Sequence, residues 1–265
     1  MSPEQRVRLR TEGHVAHVEL NRPDKRNAVD LAMFRAIVDC AERLAGDGDV
    51  RAVVVSGAGG SFCAGIDTAL FTGSAPRDLA ALMAPRAPSP ANLFQQVSWL
   101  WRELPVPVIV AVEGVAYGAG MQIALGADIR YAAPDARLSI MEIEWGLIPD
   151  MGLTAVARSL VRRDVLRELV WTGRVVAADE ARELGLVTSV HDDPLGRAFE
   201  VARAVAARSP DAIRQGKRLL NEAFEVAPPD ALAVEARLQA ELIGTPNQVE
   251  AIRAKAEGRE PRFDD

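Results

Sequence analysis

Residues 107–152 read PVIVAVEGVAYGAGMQIALGADIRYAAPDARLSIMEIEWGLIPDMG. The opening run, Pro107–Val112, is apolar and mostly β-branched, the pattern of a strand buried on both faces. It leads into a glycine-rich turn, Gly114 to Gly120, that opens a helix and so leaves backbone N–H groups free at the helix start. The turn has neither the Gly-Lys-Ser/Thr ending of a phosphate-binding loop nor Gly-x-Gly-x-x-Gly spacing. Two short strands are expected next, at Ile129–Ala132 and Arg137–Ile140, followed by an apolar segment that carries Glu142 and, eight positions on, Asp150. Free amides beside carboxylates are the parts needed to hold an enolate and move a proton.

Working outward, Val7–Arg10 and His14–Leu20 alternate apolar and polar residues around Glu12-Gly13, which predicts a hairpin. Asp30 is placed to cap a helix with an apolar face of Leu31, Phe34, Ile37, Val38, Ala41 and Leu44, ended by Gly46 and Gly48. Val53–Val55 reads as a short buried strand and Asn92–Glu103 as a helix. Thr72–Ala91 has no clear period and reads as a loop. Beyond Asp150 the pattern is mostly helical, with a strand at Leu186–His191. Strand–helix–strand repetition implies a mainly parallel sheet covered by helices. No internal sequence repeat is visible.

Composition is that of an ordinary globular chain: of 265 residues, 49% are hydrophobic and 26% charged, enough to bury a large core. No apolar run approaches the ~20 residues of a membrane span, and the start, MSPEQRVRLRTEG, lacks an apolar signal core. Two cysteines, Cys40 and Cys63, do not make a disulfide framework and suit a reducing compartment, so a cytoplasmic location is expected. There is no Cys/His cluster of metal spacing, and no metal is expected. The net charge of −6 argues against nucleic acid as a partner. An anionic ligand must therefore be met by local basic residues.

The 107–152 segment resembles the crotonase superfamily, the enoyl-CoA hydratase/isomerase family. Asn21–Asp30 (NRPDKRNAVD), Gly57–Asp67 (GAGGSFCAGID) and Glu257–Phe263 (EGREPRF) resemble three further motifs of that family, in the family's order. The resemblance covers nearly the whole chain. It implies an α/β fold, a spiral of ββα units of the ClpP-like kind over residues 1–195. A C-terminal helical region over 196–265 would drive self-association as a trimer or a dimer of trimers. It does not imply one reaction, because a fold hosts many chemistries.

The family holds a thioester carbonyl oxygen between two backbone amides, and the resemblance places these at Ala64 and Ala119, each expected at the start of a short helix. Such a donor is worth about 2.7–4 kcal/mol in acyl transfer. Glu142 matches one of two family glutamates and is the first catalytic candidate; its apolar flanks predict a raised pKa. Asp150 is the second candidate, although an Asp just before a helix over Met151–Leu160 also reads as an N-cap. If the segment is extended, Glu144 points away from Glu142. Gln122 stands where hydratases place their second glutamate, and Gln cannot exchange protons near neutral pH. The resemblance also implies substrate contacts from Arg26, Ala28, Gly65, Ile66, Asp67, Tyr117, Gln122 and Pro149. Lys25, Arg26 and the tail residues Arg253, Lys255, Arg259 and Arg262 are candidates for phosphate contacts. No separate cofactor is expected, coenzyme A being part of the substrate.

The expected function is that of an acyl-CoA enzyme shifting or hydrating a double bond, with isomerisation favoured by Gln122. Thioester hydrolysis by Glu142 and Asp150 and non-catalytic acyl-CoA binding stand as alternatives. Departures from the family pattern at Gln122, Ala119 and Asp150 leave the choice to the site's geometry.

Overall fold

A computed structural model of the chain describes residues 6–71 and 82–265. The first ten residues of the loop expected at Thr72–Ala91 lie outside them. The expected hairpin forms from β1 (Val7–Glu12) and β2 (Val15–Leu20), paired antiparallel around Gly13. A single 3-10 turn, Pro23–Lys25, precedes α1 (Leu31–Ala45). Asp30 caps α1 by accepting the Met33 N–H at 2.9 Å, and Phe34, Ile37, Val38, Ala41 and Leu44 are buried on one face. Each large apolar side chain so buried contributes roughly 1.5–3 kcal/mol.

β3 (Ala52–Gly57) is followed by a 3-10 turn at Thr68–Phe71. α2 (Leu93–Glu103) begins with a capping box between Asn92 and Gln95, which satisfies helix-end donors reciprocally. Then come β4 (Val108–Val112), β5 (Val115–Tyr117), α3 (Ala119–Leu125), β6 (Ile129–Ala132) and β7 (Arg137–Ser139). β5 lies inside the stretch expected to be a plain glycine turn.

A 3-10 turn at Glu142–Trp145 precedes α4 (Leu153–Val156), α5 (Arg163–Thr172), β8 (Val176–Ala177), α6 (Ala178–Glu183) and β9 (Ser189–Val190). The chain closes with α7 (Pro194–Ala206), α8 (Pro210–Ala223), α9 (Pro228–Leu242) and α10 (Pro246–Glu257).

The strands fall into two sheets. One has the order β1-β2-β3-β4-β6-β9 and is parallel throughout except for the hairpin; the other has the order β5-β7-β8. β4 enters the first sheet and β5 the second before α3 returns the chain; β6 and β7 repeat the division. These two turns of chain each give a strand to each sheet, the repeat of the expected spiral of ββα units. The main core, with Trp101, Phe34, Phe62 and Met33 fully buried, lies among the sheets, α1, α2 and α3.

The other face of the large sheet is covered by α7, whose Ala198, Ala202 and Ala206 pack near Val54, Ile109 and Tyr131. The boundary expected at 195/196 falls inside this helix, and the helices that leave the sheet begin at Pro210. They are tied back by Lys217, a buried side chain on α8. Its Nζ donates to the carbonyls of Trp101 (2.8 Å) and Val106 (3.0 Å) and pairs with Asp128 at 2.8 Å. Among the described residues, no helix is long and apolar enough to cross a membrane.

Candidate active site

The site is assembled where the loop after β3 meets β5 and α3. Cys63 donates its N–H to Val115 (2.9 Å) and accepts the Tyr117 N–H (3.0 Å), forming a one-residue bridge to the small sheet at Ala116. Three residues on, Ile66 bridges Val29 in parallel, with bonds from Val29 to the Gly65 carbonyl (2.8 Å) and from Asp67 to the Val29 carbonyl (3.0 Å). In such a bridge the backbone of Ile66 itself faces the other way. Its N–H has no hydrogen-bond partner among the described residues, and the same holds for the N–H of Ala119 at the start of α3. Gly65, at φ 101°, makes the turn possible, and a Cβ there would stand 3.0 Å from the Tyr117 carbonyl.

This arrangement corrects one expected donor. The Ala64 N–H is already committed to the Arg26 carbonyl at 2.9 Å, and no helix starts at Ala64, the 3-10 turn beginning only at Thr68. The free amide of that loop belongs to Ile66. Its neighbour in sequence, Asp67, turns its carboxylate to the protein. It accepts the Ala69 N–H at 3.1 Å and pairs with Arg22 at 2.7 Å, contacts that hold it below the usual carboxylate range.

Ile66, Ala119, Gly118, Met141 and Glu142 line a cavity of about 120 Å³. A second cavity of about 140 Å³ adjoins it through Ile66, Phe71 and Leu147 and is walled by Phe34, Phe94 and Met151, with Asp150 as its carboxylate. A larger groove of about 580 Å³ runs between β1 and α1 past Arg8, Arg10 and Arg43 and touches none of the expected site residues.

Glu142 is buried at 8% exposure in the 3-10 turn. The turn is closed by Gly146 at φ 69° and braced by Gly173, where a Cβ would meet Ile143 at 3.0 Å. Because the segment is a helical turn and not extended, the expected opposition of Glu142 and Glu144 does not apply. Burial pushes the Glu142 carboxyl above its ordinary range, with the charge of Asp150 adding to the rise. Asp150 is half-buried and is likewise pushed up by burial. It caps no helix: α4 starts at Leu153 behind Gly152, at φ 88°, with no side-chain cap.

Gln122 is fully buried between these groups. Its Nε2 donates to Glu142 Oε1 at 2.6 Å and its Oε1 accepts the Met151 N–H at 2.9 Å. Glu142 Oε2 is buried and has no hydrogen-bond partner among the described residues.

The remaining expected contacts are more peripheral. Arg26 and Lys25 are exposed, and Arg26 sits at a left-handed φ of 47°. The Ala28 carbonyl accepts from Arg22 at 2.9 Å. Tyr117 is half-buried, with its backbone against Gly65; Pro149 is half-buried and lines neither cavity. In the tail, Arg253 pairs with Glu257 and Arg259 with both Glu250 and Glu257.

Sequence reasoning missed Asn27. It is fully buried at φ 56° and donates to the carbonyls of Ala58 (2.9 Å) and Ser61 (2.7 Å), pinning the first motif to the donor loop. Among the described residues no group of three or more His, Cys, Asp or Glu is placed to hold a metal ion.

This geometry agrees with what the chain resembles. The sequence model of the enoyl-CoA hydratase/isomerase family matches residues 10–265. A mitochondrial Δ3,5-Δ2,4-dienoyl-CoA isomerase of Mus musculus is 33% identical over 264 residues, covering 94% of this chain and 78% of that protein. An enoyl-CoA hydratase of Mycobacterium tuberculosis is 35% identical over 256 residues, covering 95% and 93%. Among solved structures, an enoyl-CoA hydratase from Bacillus anthracis superposes with a TM-score of 0.89 at 28% identity, covering 98% of this chain and 99% of its own. One from Mycobacterium smegmatis gives a TM-score of 0.86 at 31% identity, covering 97% and 98%. With a crotonase fold, a cavity lined by a buried glutamate and by two residues whose amides are free, and a family match over nearly its whole length, the chain belongs to the enoyl-CoA hydratase/isomerase family of enzymes.

Proposed function

We propose that this enzyme is a double-bond isomerase of unsaturated acyl-CoA thioesters, and that conjugated 3,5-dienoyl-CoA suits its site best. The observation that carries this reading is the placement of two carboxyl groups in adjoining cavities. Glu142 shares one cavity with the free amides of Ile66 and Ala119, while Asp150 stands further along, in the apolar cavity. A thioester oxygen held by the two amides puts its α-carbon near Glu142 and sends the acyl chain toward Asp150. Glu142 takes a proton from C2, and the electron pair delocalises through the chain onto the thioester oxygen. Asp150, whose carboxyl burial pushes toward its neutral form, returns a proton at C6, giving the 2,4-dienoyl product. Solvent exchange resets the two carboxyls after release. A shorter 3-enoyl chain requires only Glu142, which takes the C2 proton and returns it at C4.

Gln122 supports isomerisation over hydration. Adding water needs a base for the water as well as an acid for the α-carbon, and an amide supplies neither. Similarity to a protein named as a dienoyl-CoA isomerase supports the same reading.

The experiment is incubation of the purified protein with 3,5-dienoyl-, 3-enoyl- and 2-enoyl-CoA in heavy water, followed by mass analysis. The expected result is deuterium incorporation with a shifted double bond and no gain of water. Gain of water without isomerisation, or release of free CoA, overturns the reading in favour of hydration or hydrolysis.

The C-terminal helices expose Leu220, Phe224, Leu232, Ile243 and Ile252. Apolar exposure of this extent on one region is what association buries, and a trimer or dimer of trimers is the state we propose for it. Sedimentation of a monomer at working concentration overturns this.

A further inference from the structure

We propose that Gln122 is a positioning residue that brackets the two carboxyl-bearing segments and assigns the moving proton to Oε2 of Glu142. The inference rests on the isomerase reading for its kinetic consequence, and on geometry alone for the bracket itself. An amide has one accepting and one donating end. Its oxygen is fixed by the Met151 N–H, since the reverse orientation would set two donors against each other. The NH2 end must then face Glu142, where it donates at 2.6 Å to Oε1. That N–H cannot accept a proton, so Oε1 is held as an acceptor whether Glu142 is charged or neutral. The proton therefore resides on Oε2, the oxygen that no protein group engages among the described residues.

The other end of the bracket is equally fixed. Met151 follows Asp150 directly, and its peptide is gripped on both sides: the N–H by Gln122, and the carbonyl by the Ser98 hydroxyl. Gln122 thus ties the turn that carries Glu142 to the segment that carries Asp150, across an intervening stretch, Ile143–Ile148, that is exposed. Gly118, at φ 48°, lies beside this carboxyl: a Cβ there would be in ordinary contact with Glu142 Oε1 at 3.4 Å. Each end of Gln122 carries a protein partner, and the side chain is fully buried. Asp150 is the other titratable group that Glu142 feels.

The test compares the full-length protein with Gln122→Met, which keeps the bulk and removes both bonds, and Gln122→Glu, whose neutral acid has the same donating and accepting ends. Two readouts are used: kcat and KM for 3,5-dienoyl-CoA across pH, and titration of the Glu142 carboxyl by 13C NMR, assigned through Glu142→Gln. Q122M is expected to lose kcat on the order of 10²-fold with KM little changed, as misplacement of a catalytic group does. Its Glu142 titration moves to higher pH, because a donor to the charged form is gone. Q122E is expected to recover kcat at low pH and lose it as pH rises, with Glu142 and the new carboxyl titrating in two coupled steps. Q122M with wild-type kcat and an unmoved Glu142 titration overturns the bracket. So does equal impairment of Q122M and Q122E at every pH. A wild-type protein that does not isomerise, yet shows the shifted Glu142 titration in Q122M, sinks the isomerase reading and leaves the bracket standing.

Discussion

Gly120 lies so close to Cys63 that a Cβ built on it would stand 2.4 Å from the Cys63 carbonyl oxygen and 2.7 Å from its Cβ. That approach seats the first turn of α3 on the segment that ends in Ile66, so the amides of Ala119 and Ile66 are carried by one packed unit. Two loops from distant parts of the chain are thereby packed together, as the proposed oxyanion role of their two amides requires.

Gly120→Ala is therefore expected to force these loops apart. Overpacking of this kind costs about 1–3 kcal/mol, read as a lowered denaturation midpoint. Acyl-CoA turnover should fall further than stability does, because the donors separate. Gly46→Ala serves as the control: the nearest atom to a Cβ there is 3.7 Å away, and the backbone is not left-handed. It should stay within roughly ±0.5 kcal/mol of the parent. Equal effects from the two substitutions would show that the contact carries nothing.

Asn27→Ala is expected to destabilise the chain by about 2–4 kcal/mol. It strands the carbonyls of Ala58 and Ser61, which Asn27 Nδ2 satisfies, and the Arg22 N–H, which Asn27 Oδ1 accepts at 2.7 Å. It also asks alanine to hold φ 56°, a left-handed conformation that costs about 1–2 kcal/mol. Asn27→Gly relieves the backbone part alone and should recover only that fraction. Chemical denaturation of the three proteins measures both parts.

The carboxyls set a pH dependence whose sign follows from burial. Glu142 and Asp150 are both held above their ordinary range in the folded chain, so over that window the native state keeps protons that the unfolded state has released. Stability contributed by the site therefore falls as pH rises from the ordinary carboxylate range through the raised values. Glu142→Gln retains an acceptor for Gln122 and removes the buried charge. It is expected to raise the melting temperature at neutral pH, with the gain shrinking toward zero below pH ~4. The same substitution should reduce turnover by about 10²–10⁴-fold. A melting temperature unchanged at neutral pH would mean that the carboxylate is well solvated.

Local signals were legible wherever one residue and its near neighbours decide the outcome. Asp30 caps its helix as its position implies, and the hairpin follows its alternation. What failed depended on partners far along the chain. β5 has three residues, too short to show a period, and it exists because Cys63 and β7 pair with it. Whether the amide of residue 64 or of residue 66 is free is decided by the Arg26 carbonyl, which no local pattern reveals. Asp150 precedes an apolar run and so imitates an N-cap, but Gly152 redirects the backbone before the helix begins. The apolar cavity is similarly hidden, because Phe34 and Phe94 belong to two helices and read individually as ordinary core residues.

Asp150→Asn separates the two carboxyls' tasks. If Glu142 works at C2 and Asp150 at C6, the asparagine variant should still exchange the C2 proton of 3,5-dienoyl-CoA with solvent deuterium. It should lose formation of the 2,4-dienoyl product by about 10²–10⁴-fold. Glu142→Gln should lose both together, since no dienolate forms without removal of the C2 proton. Asparagine nearly matches aspartate in size and leaves the Met151 N–H bond to Gln122 intact, so the bracket around Glu142 persists. Exchange at C2 is followed by mass spectrometry and product formation by the absorbance of the conjugated thioester. Loss of exchange and product in equal proportion in Asp150→Asn would place Asp150 at the same carbon as Glu142. The two adjoining cavities would then hold one proton-transfer centre and not two.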